Sequence, residues 1–235
     1  MAKKSQLRQI RQGTAINTTS KRQEQTLRLA VEQVCQQLGK AFPQVKFLWQ
    51  ARMMLSPLVA ALRIRFPEVD FADCHSSSFM APDGGFLSIL GQDGKAYPIL
   101  ISEKKNQGTN DLRLREGKRR QAQGNAIERL GKNVIGLRVM FLHEAIFPFV
   151  CFGDGCDFDE RLSILDRVRT IAMFGALNQQ HLHREGQDFN RGSYYFRVAP
   201  WTQAEMEALA YPIAEQSIYY YFSKYGKAFF ACAQA

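Results

Sequence analysis

Two carboxylates and a lysine in this chain have the types and spacing of a phosphodiester hydrolysis site. Asp83 sits in the run Pro82-Asp83-Gly84-Gly85, and Glu103-Lys104-Lys105 closes the next apolar stretch. Side chains on a strand alternate faces, so Glu103 and Lys105 would point one way and Lys104 the other. A hairpin joining the two segments would bring Asp83 alongside Glu103 and Lys105. Hard divalent cations take such oxygen ligands, and Mg²⁺ usually accepts one or two carboxylates together with waters and phosphate oxygens. The ammonium would orient or help deprotonate an attacking water while the cation neutralises charge building on the phosphate. Pro-Asp turns and Glu-x-Lys pairs also occur on many exposed strands, so the pattern by itself leaves a plain surface hairpin open. Lys104 stands where an apolar, core-facing residue is expected, and it must reach solvent, a phosphate or an acidic partner.

The elements that must position these residues are marked by hydrophobic period and by turn residues. Ser20-Lys-Arg-Gln23 has the form of a capping box, and Leu27, Val31, Val34 and Leu38 recur at helical spacing up to Gly39, which predicts an amphipathic helix. Val45 to Trp49 reads as a short strand and Pro57 to Phe66 as a second helix. Phe86 to Leu90 is an apolar strand, Gly91-Gln-Asp-Gly94 a tight reversal, and Tyr97 to Lys105 the returning strand. After a basic stretch from Asp111 to Gln123, the spacing of Ala126, Leu130, Val134 and Leu137 predicts another helix. Phe147 to Phe152 reads as a buried strand, Glu160 to Phe174 as a helix ending at Gly175, and Tyr194 to Val198 as a strand. Strands alternating with helices predict an α/β fold in which helices pack on a sheet. The last third is rich in aromatics (Tyr194, Tyr195, Phe196, Tyr219, Tyr220, Tyr221, Phe222), read as core or interface packing rather than a base-stacking platform.

Three runs occur in order: Pro82-Asp83-Gly84-Gly85, Ser102-Glu103-Lys104-Lys105-Asn106-Gln107-Gly108 and Gly124-Asn125-Ala126-Ile127-Glu128-Arg129. Phe42-Pro43-Gln44-Val45 and Ser77-Ser78 precede them, and Phe147-Pro148-Phe149-Val150 and Leu165-Asp166-Arg167 follow. From Lys40 to Gly175 the chain resembles the EcoRI group of type II restriction endonucleases. The resemblance implies the restriction-endonuclease-like PD-(D/E)xK fold, a mixed central β-sheet flanked by helices. It implies a homodimer that grips double-stranded DNA and hydrolyses both strands of a palindrome with Mg²⁺, leaving 5′-phosphates. Asp83 and Glu103 would be the metal ligands and Lys105 the residue at the nucleophilic water, with Gln107 in support. Asn125, Ala126, Glu128 and Arg129 would contact DNA from the N-terminal end of a helix in the major groove, with Arg167 a further contact. An Asn amide can donate to N7 and accept from the N6 amino group of one adenine. Glu128 can accept from base amino groups or hold Arg129 across the dimer. A methyltransferase in the same restriction-modification system would protect the host's own DNA.

The chain also departs from the family pattern. Where the family has an arginine on each side of the Leu-Asp pair, this chain has Ile164 and keeps only Arg167, with an extra residue near Arg169. The segment from Gly108 to Gly124 is shorter. The intact Asn125 segment predicts an AATT-centred, GAATTC-like site whose outer base pair is open.

Composition agrees and narrows the alternatives. The chain has 235 residues, 31 Lys and Arg against 22 acids and a net charge of +9, which points to an anionic partner, most often nucleic acid. Residues 1–22 carry six basic residues and no acid, a basic N-terminal arm; residues 23–235 are read as one catalytic and recognition domain. Hydrophobic and charged fractions of 46% and 23% exclude wholesale disorder. No apolar run is long enough for a membrane helix and the start lacks a signal core, which predicts a cytoplasmic protein. The scattered Cys35, Cys74, Cys151, Cys156 and Cys232 read as reduced thiols, without the paired spacing of a zinc site, and His181 and His183 lack further ligands. Two other functions stay open: a repair or recombination nuclease directed by DNA structure, and a sequence-specific DNA-binding protein that does not cut.

Overall fold

Leu27, Val31, Val34 and Leu38 are all buried, so the first helix, α1 (Thr14–Ala41), presents one apolar face to the body of the protein. The computed structural model describes residues 14–106, 117, 124–141, 144–155, 158 and 192–232. α1 begins ahead of Ser20, so the expected capping box there is not a helix start. The helical backbone at Ser20 excludes the extended conformation an N-cap requires. Once the core-facing turns have nucleated, each further residue adds a backbone hydrogen bond at little entropic cost. Residues 14–22 of the expected basic arm are therefore helical.

The chain continues through β1 (Phe47–Gln50), β2 (Met53–Met54), α2 (Leu55–Arg65), β3 (Phe79–Met80), β4 (Gly85–Leu90) and β5 (Ala96–Asn106). Then come α3 (Gly124–Val139), β6 (Phe149–Asp154), β7 (Ser193–Arg197), α4 (Gln203–Tyr225) and a 3₁₀ turn, Lys227–Phe230. The central sheet has the order β1-β4-β5-β6-β7 and is mixed. β1 pairs antiparallel with β4 and β4 antiparallel with β5, while β6 pairs in parallel with β5 and with β7. A parallel pair needs a crossover connection, and α3 lies within the one between β5 and β6. β2 and β3 form a separate two-stranded sheet. This is the mixed, helix-flanked sheet that the resemblance implies.

One core lies on each face of the sheet. On one, Leu87, Ile89, Leu100, Val150 and Phe152 pack with α1 and with Met206, Ala210, Ala214, Ile218 and Tyr221 of α4. On the other, Phe86, Ile101, Phe149 and Cys151 pack with Leu130, Val134 and Leu137 of α3. Ile101 and Leu100 thus face opposite cores, and the alternation continues to the end of β5.

Besides the short strands β2 and β3, the sequence pattern missed α4. Its start was marked: Thr202 Oγ1 accepts from the Glu205 N–H (3.3 Å) and a Glu205 oxygen accepts from the Thr202 N–H (2.9 Å), a capping box. Pro212 removes one donor inside the helix, yet burial of its apolar face outweighs that loss. The aromatics of this region are mostly structural. Tyr221 is buried and donates to the Pro98 carbonyl (3.1 Å), while Tyr220 donates to Glu144 (2.8 Å). The helix expected over Glu160 to Phe174 lies outside the described residues, as does nearly all of the basic stretch from Asp111 to Gln123. Among the described residues, no helix is long and apolar enough to cross a membrane.

Candidate active site

The Pro82-Asp83-Gly84-Gly85 turn is pinned from three sides. The Gly85 N–H donates to the Pro82 carbonyl (2.9 Å), closing the turn, and the Gly84 N–H donates to the Ser102 carbonyl (2.9 Å), tying the turn to β5. The indole of Trp49 in β1 donates to the Gly84 carbonyl at 2.9 Å. The glycines serve different ends. A Cβ at Gly84 would lie 2.0 Å from the Ser102 hydroxyl, whereas Gly85 has φ +77° and a Cβ there would meet the Gln50 carbonyl at 2.7 Å.

This turn delivers Asp83 to the end of β5. Asp83 Oδ2 accepts from the main-chain N–H of Lys104 (3.0 Å), and the Asp83 N–H donates to Glu103 Oε2 (3.1 Å). Lys105 Nζ contacts Glu103 Oε1 and stands 3.7 Å from Asp83 Oδ2. Asn133, from α3, donates to Glu103 Oε1 at 3.4 Å. The fold therefore brings Asp83, Glu103 and Lys105 to one point. The Glu103 side chain is 3% exposed, Lys105 17% and Asp83 25%, so the cluster opens to solvent on the Asp83 side.

The electrostatics follow from that geometry. Burial raises the Glu103 carboxyl above its ordinary pKa; the Lys105 charge pulls against this, and the like charge of Asp83 reinforces it. Burial alone would lower the Lys105 ammonium, but Glu103 and Asp83 outweigh it and hold the lysine raised, in its charged form. Two adjacent carboxylates, one of them resisting ionisation, favour added positive charge. Two hard oxygen-donor groups, with Asp83 on the solvent side, match what Mg²⁺ takes, with waters and phosphate oxygens completing its shell. Among the described residues there is no group of three or more His, Cys, Asp or Glu to make an all-protein metal cage.

Lys104 points to the opposite face, where its ammonium lies 2.6 Å from Asp154 Oδ2; both side chains are buried. Of the three destinations open to it, the lysine takes the acidic partner. Burial lowers its pKa, and the hydrogen bond and charge of Asp154 work against that.

Asn125, Ala126, Glu128 and Arg129 fall within the first turns of α3. Asn133 lies two turns further along the same helix, about 12 Å from Asn125 at 1.5 Å per residue. Gln107 and Arg167 lie outside the described residues, as do Cys156, His181 and His183. The four described cysteines are free thiols. Sequence reasoning missed four participants: Asn133, Asp154, Arg28 and Trp49. Arg28, in α1, reaches the Asp83 carbonyl at 3.5 Å and lies over the Trp49 ring. Asn133 had a signal, a polar residue beside the apolar Leu130-Val134 stripe. Asp154 had only its position at the end of an apolar strand.

Known proteins resemble the chain over most of its length. A family model described as Restriction endonuclease EcoRI matches residues 12–228. The chain is similar to the type II restriction enzyme RsrI of Cereibacter sphaeroides, with 30% identity over 221 residues, covering 79% of this chain and 79% of that enzyme. It is also similar to the type II restriction enzyme EcoRI of Escherichia coli, with 32% identity over 149 residues, covering 58% of this chain and 54% of that enzyme.

Proposed function

The chain belongs to the EcoRI family of restriction endonucleases, and from that premise we propose that it cuts both strands of a short palindrome in double-stranded DNA by Mg²⁺-dependent hydrolysis. The observation that carries this reading is the convergence of Asp83, Glu103 and Lys105 at the end of β5. Asp83 and Glu103 would hold the cation. When bound, Mg²⁺ would offset charge gathering on the phosphate and acidify a water nearby. Lys105, kept charged beside the carboxylates, orients the attacking water and stabilises the oxygen as its proton leaves. The water oxygen bonds to phosphorus, the bond to the 3′-oxygen breaks and that oxygen takes up a proton, leaving a 5′-phosphate. Asn133 steadies Glu103 from the α3 side.

The site is proposed to have an AATT centre, read from the major groove by Asn125 with Ala126, Glu128 and Arg129, and with Arg167 as a further contact. The active unit would be a homodimer, since two identical sites match the two strands of a palindrome. It would act in the cytoplasm, alongside a methyltransferase that protects host DNA. A DNA binder that does not cut would suit the basic balance and a Lys104 free to meet phosphate. Lys104 is instead buried against Asp154, which leaves that reading the basic balance alone.

Digestion of phage DNA with Mg²⁺, followed by sequencing of the fragment ends, tests the proposal, with Glu103→Ala alongside. Discrete fragments whose ends share one palindrome, absent with the variant, are expected. Smears would favour a nuclease directed by structure, and tight binding without cutting would favour the silent binder. Asp83→Ala is expected to bind its site in Ca²⁺ and to leave it intact in Mg²⁺. Cleavage by that variant would remove Asp83 from the mechanism.

A further inference from the structure

Asp154 gathers four donors. Its Oδ2 accepts from Lys104 Nζ at 2.6 Å and from the Trp201 N–H at 3.2 Å, and its Oδ1 from Asn106 Nδ2 at 2.7 Å and Gln23 Nε2 at 3.3 Å. These donors come from α1, from β5 and from the segment that leads into α4, so one buried carboxylate ties three parts of the fold to the tip of β6. The Lys104 and Asp154 side chains are 3% and 1% exposed. A pair so deeply buried loses solvation that its attraction repays only in part, and a well-packed apolar pair often serves stability as well or better. Stability is thus a weak reason for a lysine at a position that otherwise faces an apolar core.

The main chain supplies a stronger one. The same Lys104 whose side chain is anchored by Asp154 donates its backbone N–H to Asp83 Oδ2 at 3.0 Å. Its chain neighbours are Glu103 and Lys105. Asn106, the next residue on that face, is anchored to the same carboxylate. We infer that the buried Lys104–Asp154 pair is a positioning device for the metal-binding carboxylates, clamping the end of β5 from behind so that Asp83 and Glu103 are held at one separation. This rests on the reading of Asp83 and Glu103 as metal ligands. Lys104 and Asp154 touch neither cation nor DNA in this scheme and act only through the strand.

The test separates positioning from packing. Lys104→Met/Asp154→Leu removes both charges together and so leaves no unpaired buried charge, at the cost of the acceptor shared by Asn106, Gln23 and the Trp201 N–H. Its melting temperature is compared with wild type, together with the half-saturating concentration of Tb³⁺ and of Mg²⁺ in cleavage. Trp49, hydrogen-bonded to the turn beside Asp83, sensitises the Tb³⁺ luminescence. A melting temperature within a few degrees of wild type, with a tenfold or greater rise in both half-saturating concentrations, is expected, and Lys104→Arg should recover part of the loss. Wild-type metal affinity in the double variant would overturn the inference while leaving the metal site standing. Tb³⁺ binding that is undiminished by Asp83→Ala would overturn the metal reading and the inference with it. If the double variant does not fold, Asp154→Asn, which keeps the shape but removes the charge that holds Lys104, is scored by the same two outcomes.

Discussion

Gly84 and Gly85 show how much of the site is held by what side chains leave out. One gives room to the Ser102 hydroxyl, and the other takes a backbone angle that residues with a Cβ rarely adopt. Gly85→Ala is predicted to cost about 1–3 kcal/mol, because it adds a left-handed strain to a clash with the Gln50 carbonyl. Urea denaturation measures this, and an unchanged midpoint would contradict it. Since the same turn presents Asp83, metal affinity should weaken as well. At the other end of the mechanism, Asn125→Ala is predicted to cost on the order of 1–3 kcal/mol on the cognate site and to relax adenine discrimination. Competition binding with cognate and random duplexes checks this. Equal losses on both would mean that Asn125 reads no base.

At the scale of elements, β5 gives each of its faces a separate task. Alternation along one strand sends Glu103 and Lys105 toward α3 and Lys104 toward α1 and α4, so the charges of the candidate site and the anchoring charge never compete for the same space. α4 depends on its start: hydrogen bonds from Arg197 and then from Thr202 lower the Glu205 carboxyl from its ordinary 4.5 to about 2. A carboxyl lowered in the fold stabilises it fully above the unfolded value and loses that contribution as pH falls through the folded one. The helix start is therefore predicted to loosen between pH 4.5 and about 2, and Glu205→Gln should flatten the acid dependence of unfolding over that window. Parallel acid titrations of wild type and variant, followed by circular dichroism, decide it; coincident slopes would count against the cap. Element boundaries were legible where period and punctuation agreed, as in the hairpin of β4 and β5. They were less so where a strong local signal was overruled. Ser20 reads as a cap but is passed through by α1.

For the whole molecule, the excess of 31 basic over 22 acidic residues gives a field that draws in a polyanion, and the first 22 residues concentrate it without a single acid. Deleting residues 3–11 is predicted to weaken DNA binding most at low salt and to make the salt dependence shallower, since fewer counterions would leave the phosphates. Binding isotherms at several salt concentrations test this, and an unchanged slope would return the segment to an ordinary solvated tail. The amino-acid sequence by itself determined the class of chemistry: the Pro-Asp-Gly-Gly turn, the Glu-x-Lys strand end and the Asn125 segment are local patterns. Their meaning follows from strand alternation and turn geometry, which each residue carries with it. Only the tertiary structure decided that Lys104 is answered by Asp154, that Asn133 reaches Glu103, and that Trp49 and Arg28 brace the Asp83 turn. These partners are far apart in the chain. They meet because β5 and β6 pair in parallel at one register and the helices pack on opposite faces. Register and packing are settled by burying both cores at once, a condition on the whole chain that no local segment contains.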